Sequence, residues 1–267
     1  MAKQMSPDLI LKDLDDLQEA KSLLEYPSLT ARIANFIGKP IEFGMKQLPK
    51  KWNESIGNVT KAALLKGLEY SINTMGKQES KKSSDLFHKL MVFTTGSLGG
   101  VFGLLSLPIE LPLSTCIILR SIADIAKSEG HDIESLEIRL DCLQVLALGG
   151  DKKNDNSGEH GYWFTRVVMA RQISSIATYI AEKGLAEESA PPIIKFLSAI
   201  AARFSSVVTE EAIAKAIPAF SALTGGGINY LFMSHFQDMA RGHFIIKRLE
   251  KKYGMDFVRD KYNNTSI

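Results

Sequence analysis

Apolar residues recur along most of the chain at three- and four-residue intervals, which is the spacing of an amphipathic helix. The first such segment is residues 6–25, where Ser6 can cap the helix and Pro7 suits its first turn. No segment alternates apolar and polar residues as a half-buried strand would. Similar spacing predicts further helices over residues 27–36, 41–48, 59–75, 113–128, 132–148, 165–181, 191–204 and 228–253. The pattern therefore predicts an all-α fold, a compact multi-helix bundle.

Proline and glycine mark several of the predicted helix ends. Pro112 is expected in the first turn of its helix, and Gly254 is expected to end the final helix. The triplet Gly225–Gly227 is expected to interrupt the chain before that final helix, and Thr209 is expected to cap a separate short helix. In the helix over residues 165–181, the side chains expected to face the core are Val168, Ile173, Ile176 and Ile180.

Two long windows, residues 91–109 and residues 216–237, carry no Asp, Glu, Lys or Arg. Each reaches the length of a membrane span, but glycines and prolines interrupt both apolar stretches. Because glycine lets helix backbones approach closely, the windows favour glycine-rich, tightly packed central helices over simple spans. Attachment to a membrane surface is the other alternative, since basic residues favour an anionic leaflet. The last predicted helix ends in such residues, namely Arg241, Lys247, Arg248, Lys251 and Lys252.

The composition narrows the class of function. Lys and Arg total 32 and Asp and Glu total 30, and this net charge of +2 argues against a dedicated nucleic-acid binder. Cys116 and Cys142 lie in apolar surroundings and are expected to be buried free thiols. The first residues lack the apolar core and cleavage site of a secretory signal, which favours a cytoplasmic location. The run Tyr162–Phe164 is expected to anchor a helix in the core or, alternatively, to contact a membrane interface.

Two long segments of the chain resemble the EcsC family. The first is GSLGGVFGLLSLPIELPLSTCIILRSIADIAKSEGHDIESLEIRLDCLQVLALGG, and the second is GGGINYLFMSHFQDMARGHFIIKRLEKKYG. Together they cover about residues 85–255. The resemblance implies a helical bacterial protein whose namesake is encoded beside an ABC transporter. It implies no settled activity, and the cofactor, if any, is unknown.

This resemblance also suggests a division of the chain. Residues 1–84 are expected to form an N-terminal helical extension that ends in the polar segment 76–84. Residues 85–267 are expected to form the EcsC-like helical core, packed with the extension as one domain. The leading functional hypothesis is an accessory protein at or near the cytoplasmic face of the inner membrane. Its expected partners are a membrane surface or a membrane protein, and no nucleic acid.

Glu110 is the acidic residue with the most unusual surroundings, since it lies in an apolar stretch between Pro108 and Pro112. A buried carboxyl there would have a raised pKa and could act as a general acid or base. The alternative is a structural role at the start of a helix or as the partner of Arg120. Arg120 and Asp124 are one helical turn apart and can pair. Apolar neighbours predict that Arg120 is buried in a network that fixes the packing or binds an anion.

The last predicted helix carries a second group of candidates. His235 and Asp238 are three residues apart and share a face, so together with Glu110 they define the alternative function, a hydrolase or metal-dependent enzyme. A zinc site would need a third ligand, and because no H-E-x-x-H or C-x-x-C pattern is present, no metal site is predicted. In the structural alternative, Asp238 pairs with Arg241 and His235 is a core histidine. The remaining candidate binding residues are Asn229, Arg241 and His243.

Overall fold

The computed structural model describes residues 7–25, 29–37, 50–74, 107–148, 161–184, 190–216 and 218–265, with side chains in the last range from Tyr230 onward. Within these residues the chain forms nine helices and no strand, which confirms the predicted all-α bundle. The helices are α1 (Pro7–Glu25), α2 (Leu29–Ile37), α3 (Lys50–Asn73), α4 (Leu107–Ser128), α5 (Leu136–Val145), α6 (Gly161–Lys183), α7 (Pro191–Ala216), α8 (Pro218–Tyr253) and α9 (Met255–Asn264).

Three parts of the sequence interpretation fall outside the described residues. They are the predicted helix over residues 41–48, the polar segment 76–84 and most of the first uncharged window. The second uncharged window lies largely in α8, because that helix begins at Pro218. The prediction that Gly225–Gly227 interrupts the chain is therefore wrong. The three glycines continue the helix, although glycine is a weak helix former.

Other helices also run further than predicted, among them α3, which begins at Lys50 rather than at residue 59, and α6, which covers Gly161–Lys183 rather than residues 165–181. α4 begins at Leu107 and contains Pro112, so this proline lies inside the helix rather than in its first turn. α7 continues to Ala216 and includes Thr209, whose hydroxyl donates to the carbonyl oxygen of Ser205 at 2.7 Å instead of capping a new helix. A hydroxyl that bonds back to the preceding turn is compatible with a helix interior.

The final helix, α9, was not predicted. Gly254 has a φ of 86°, a left-handed conformation that glycine adopts without strain, and it turns the chain from α8 into α9. Lys21 on α1 holds the end of α9, because its ammonium group donates to the carbonyl oxygens of Tyr262 at 3.0 Å and Thr265 at 2.7 Å. Val258 and Tyr262 are the buried residues of α9.

α8 is the central element of the bundle and packs against α1, α2, α4, α5, α7 and α9. α3 packs against α4, α5 and α7, and α6 packs against α5 and α7. All nine helices contribute buried apolar side chains to one core. Of the four residues expected to face inward on α6, Ile173 and Ile176 are buried, whereas Val168 is exposed.

Glycine allows the closest approach between α1 and α8. A Cβ atom on Gly242 would lie 2.7 Å from Cγ of Leu24 and 3.0 Å from the backbone oxygen of Ala20. Contacts that short require the two helices to move apart, and the backbone oxygen cannot rotate away as a side chain can. By contrast, Gly57 on α3 has no atom within 4 Å of such a Cβ.

We expect Gly242→Ala to lower the free energy of unfolding by about 1–3 kcal/mol, because the overpacking outweighs the better helix propensity of alanine. Gly57→Ala is the matched control, and it should raise stability by about 0.5–1 kcal/mol. Urea denaturation followed by circular dichroism measures both. Equal stabilisation by the two substitutions would contradict the α1–α8 packing.

Candidate functional site

Glu110 is a buried residue in the first turn of α4. A carboxylate is favourable in this position because the first turn of a helix carries partial positive charge. This is the location that the structural alternative expects. The neighbouring Ser114 does not face a reacting group, since its hydroxyl donates to the carbonyl oxygen of Leu111 at 3.1 Å.

Arg120 and Asp124 form the predicted pair, with Nε of Arg120 3.5 Å from a carboxylate oxygen of Asp124. The pair lies at the surface, since the Arg120 side chain is 39% exposed and that of Asp124 is 64% exposed. The expectation of a buried arginine network at this position is therefore wrong. The apolar neighbours of Arg120 in the sequence point to other sides of α4, where Ile118, Leu119 and Ile122 are buried.

His235 and Asp238 are held by different neighbours. His235 is buried, and its ring meets that of Phe236 edge-on at 5.2 Å between centroids. Asp238 forms an ion pair with Arg32 of α2 at 2.6 Å. The structural alternative proposed Arg241 as the partner of Asp238, and that pairing is wrong. Arg241 itself is exposed. The side chain of Asn229 lies outside the described residues.

Cross-contacts show that α4 and α8 run in the same direction. Near the middle of α4, the side-chain amide of Gln237 donates to the hydroxyl of Ser121 at 2.8 Å. Just past the end of α4, Nε of Arg248 donates to a carboxylate oxygen of Glu129 at 3.0 Å. Later residues of one helix therefore meet later residues of the other.

This register gives the expected level of the proposed hydrolase residues along the two helices. Glu110 precedes Ser121 by eleven residues, whereas His235 precedes Gln237 by only two. At 1.5 Å per residue, Glu110 and His235 are about 13 Å apart along the parallel helix axes. A general acid and base need to reach the same substrate atoms at hydrogen-bond distance. The proposal that Glu110 and His235 share one site therefore stays a prediction.

A different polar cluster lies inside the bundle, where α5, α6 and α8 meet. Arg166 of α6 donates two hydrogen bonds to Glu250 of α8, at 2.6 and 2.8 Å, and the two side chains are 10% and 11% exposed. Next to them, Lys247 of α8 forms an ion pair with Asp141 of α5. Paired charges of this kind are the form in which ionised groups tolerate burial.

Two aromatic rings of α6 complete the cluster. The guanidinium of Arg166 lies 5.6 Å from the ring centroid of Tyr162 and 5.4 Å from that of Trp163. The hydroxyl of Tyr162 shares a hydrogen bond with Nδ1 of His243 at 3.2 Å. Tyr162 also stacks on Tyr262 of α9, with centroids 6.0 Å apart. His243, a predicted binding residue, is thus enclosed within the protein.

Burial lowers the pKa of His243 well below its ordinary value, and the positive charges of Arg166 and Lys247, together with that of His131 whenever it is protonated, lower it further. Burial also lowers the pKa of His131, although its hydrogen bond to the carbonyl oxygen of Phe244 at 2.9 Å opposes this. The pKa of Tyr162 is raised, again because the site is buried. Both imidazoles are therefore neutral, and the phenol keeps its proton at neutral pH.

The chemistry of this cluster is that of a structural junction. Its charges are paired, its phenol is protonated, and His243 and Trp163 each have a buried nitrogen without a hydrogen-bond partner, Nε2 and Nε1 respectively. Among the described residues, no group of three or more His, Cys, Asp or Glu side chains could hold a metal ion. The arrangement fixes α5, α6 and α8 relative to one another.

The sequence contained one signal for this cluster. Arg166 lies in a stretch from Gly161 to Ala181 that has no acidic residue, so its counter-ion had to come from elsewhere in the chain. The partner, Glu250, is 84 residues away. Spacing within one helix could not have identified it.

The basic end of α8 differs from the prediction. Arg248 forms ion pairs with Asp16 of α1 at 2.9 Å and with Glu129 at 3.0 Å, and Lys252 pairs with Asp13 of α1 at 2.5 Å. Burial disfavours the Asp13 carboxylate, but hydrogen bonds from Lys252 and Tyr253 outweigh this and lower its pKa. Arg248 and Lys252, like Lys247, are therefore each paired with a carboxylate of the bundle, and contact of this helix end with a membrane stays a prediction.

The cysteines are free, as predicted, but only Cys142 is fully buried. Cys116 is half-buried, and burial raises the pKa of its thiol to about 11. A thiol with that pKa is protonated at neutral pH and is a weak nucleophile. Neither cysteine is therefore activated.

The aromatic run at the start of α6 divides between the inside and the outside. Trp163 is buried in the cluster, whereas Phe164 is 59% exposed, and Val167 and Val168 are also exposed one turn further on. We use the name acid-free face for a set of exposed residues on α6 and α7, which pack against each other; the set ends before the exposed Glu182 of α6. Its members are Phe164, Val167, Val168, Arg171, Ser175 and Thr178 of α6 and Ile194, Lys195, Ser198 and Ala202 of α7.

Within the described residues, one segment is long and apolar enough to cross a membrane. It is Pro191–Ile213 in α7, with a mean hydropathy of 1.3 and 39% of its most apolar window buried inside the bundle. Length and composition alone do not separate a membrane span from a core helix. Ile193, Phe196, Ile200 and Phe204 of this segment belong to the common core.

A sequence profile of known families decides the family of the chain. The profile of the EcsC protein family matches residues 15–249. The chain belongs to the EcsC protein family. Searches of curated proteins and of solved structures gave no match. The EcsC match begins well before residue 85, where the motif resemblance starts, so it includes α2 and α3 as well as the acid-free face.

Proposed function

We propose that this EcsC protein is a helical accessory protein that acts at or near the cytoplasmic membrane face through contacts with lipid or a membrane protein. The observation that carries the proposal is the acid-free face. Single apolar residues are common on protein surfaces, whereas adjacent ones form a patch that favours binding. Phe164, Val167 and Val168 lie within about one turn of α6 and all three are exposed.

The charge distribution supports the same location. No Asp or Glu occurs between Gly161 and Ala181 or between Pro191 and Thr209, although about one residue in nine of the whole chain is acidic. The face therefore presents apolar, small polar and cationic groups. Anionic membranes attract such a surface, and acidic side chains would oppose its approach.

Membrane vesicles test the proposal directly. The purified full chain is mixed with inverted bacterial inner-membrane vesicles and floated through a density gradient. We expect the protein to float with the vesicles, and Val167→Glu/Val168→Glu to reduce the bound fraction about tenfold or more, because two exposed apolar side chains that contact the membrane become charged. Leu11→Glu, at an exposed leucine of α1, is the matched control and should bind as wild type does. Wild-type protein that stays unbound would overturn the proposal.

A further inference from the structure

The acid-free face leads to a more specific inference, which rests on the proposed function. We propose that this face binds an anionic lipid bilayer directly, with α6 and α7 lying in the plane of the membrane surface. Phe164, Val167, Val168 and Ile194 enter the boundary between headgroups and acyl chains. Arg171 and Lys195 lie at the headgroup level, where they meet lipid phosphates.

The order of residues on α6 fits this orientation. Phe164, Val168, Arg171, Ser175 and Thr178 follow one another at intervals of three and four, so they form one outward stripe along the helix. Arg171 is the one charged residue among them. The first acidic residue after them on α6 is Glu182, about 27 Å along the helix from Phe164. A stripe that begins with two apolar side chains and continues with a cation and two hydroxyl groups suits a lipid interface.

The exposed side of α7 continues the same chemistry. Ile194, Lys195, Ser198 and Ala202 are exposed, and Lys195 is the charged member of this set. α6 and α7 pack against each other, so the two stripes belong to one part of the bundle. Among the described residues, the two cations and the exposed Glu182 at the end of the α6 stripe leave this surface with a net positive charge, which gives charge complementarity to phosphate.

α9 adds a further cation at the edge of α6. The guanidinium of Arg259 lies 6.0 Å from the ring centroid of Trp163, the residue next to Phe164 in the sequence. Met255 precedes Arg259 by one helical turn, and both are exposed. The exposed Asp256 and Asp260 flank Arg259 on the same helix, so α9 adds an apolar residue and an arginine beside α6 but no net positive charge.

The packing of α7 favours lying on the membrane over crossing it. Its inward residues, including Phe196, Ile200 and Phe204, join the core that all nine described helices share. On α6, Arg166 is tied to Glu250 by two hydrogen bonds. A span would require these helices to leave the bundle and would expose that core and separate the ion pair. Surface binding uses the same residues with the bundle intact.

Flotation with protein-free liposomes tests the inference with the full chain. One liposome set is phosphatidylcholine alone, and the other contains about one-third phosphatidylglycerol. We expect strong binding to the anionic set, weak binding to the neutral set, and loss of binding as salt is raised. Arg171→Gln/Lys195→Gln should weaken binding about 25-fold, at about fivefold for each cation.

The control for net charge is Lys12→Gln/Lys127→Gln, which removes two exposed cations from α1 and α4 and should change binding by about twofold or less. The depth to which α6 enters the bilayer is measured by the quenching of tryptophan fluorescence with brominated lipids. The fluorescence of Phe164→Trp should be quenched more than that of wild type, whereas Leu11→Trp should show no added quenching. All substituted positions are exposed, so urea denaturation should show unchanged stability.

The outcomes separate this inference from the proposed function. Binding to inner-membrane vesicles without binding to anionic liposomes would overturn the lipid inference and indicate a protein partner, and the proposed function would stand. Failure to bind either would overturn both. Equal liposome binding by wild type and Arg171→Gln/Lys195→Gln, with Phe164→Trp not quenched, would show that another face meets the lipid and would also overturn the inference.

Discussion

Replacing Arg166 with methionine is expected to lower the free energy of unfolding by about 3–5 kcal/mol. The substitution removes the guanidinium that donates two hydrogen bonds to Glu250 and leaves that carboxylate buried without its partner. The desolvation of an unpaired charge is then no longer offset. The lost contacts with the rings of Tyr162 and Trp163 add to the effect. Urea denaturation at neutral pH measures the change.

Two further variants separate the charge effect from simple loss of packing. Arg166→Met/Glu250→Met replaces both charges, and it should recover to within about 1–2 kcal/mol of wild type, because an apolar pair can replace a buried ion pair. Arg171→Met, on the exposed side of the same helix, should change stability by about 0.5 kcal/mol or less. A double variant as unstable as Arg166→Met would mean that the unpaired carboxylate is not the cause.

The second large effect is a loss of stability in mild acid. The folded-state pKa values of His243 and His131 are lowered, whereas the unfolded chain takes up protons near the ordinary value of about 6.5. The unfolded state therefore binds more protons below that pH, and stability falls as the pH decreases from about 6.5. Each histidine contributes up to about 1.4 kcal/mol per pH unit until its own folded-state pKa is reached.

The pH effect can be assigned to His243 by substitution and by NMR. His243→Gln keeps a hydrogen-bonding group near Tyr162 but cannot titrate, so its stability should depend less steeply on pH between about 6.5 and 5. In the folded protein, the NMR chemical shifts of the His243 ring should remain those of a neutral imidazole well below pH 6.5. A His243 resonance that titrates near 6.5, or a variant with the wild-type pH slope, would contradict the prediction.

The all-α fold could be predicted because each helix shows apolar residues at intervals of three and four within its own segment of sequence. The face of Leu140, Leu143 and Ala147 is buried as its spacing indicates, and α1 and α2 lie within about two residues of their predicted limits. Local signals failed where packing overrides propensity. Gly225–Gly227 continues α8, and Pro112 lies inside α4. Glycine and proline have low helix propensity and more often mark the ends of helices.

The polar interior was harder to predict because its partners are distant in sequence. Lys247 and Asp141 are 106 residues apart, and Lys252 and Asp13 are 239 apart. In the sequence, the basic residues at the end of α8 indicate a cationic surface, but the fold supplies carboxylates from α1, α5 and the turn after α4. Arg120 shows the reverse error, since apolar neighbours suggested burial and the side chain lies at the surface.

The contact between Lys21 and the end of α9 has a consequence for the order of folding. α1 leaves the ribosome more than 200 residues before its partners, because its ion pairs and the carbonyl oxygens that Lys21 binds belong to residues 248–265. The apolar side of α1, which packs against α8 in the folded protein, therefore has no partner until α8 is synthesised. Contacts with such sequence separation slow folding and prolong the life of aggregation-prone intermediates. For this chain, the interval before α8 and α9 emerge is the period in which a chaperone would have most effect.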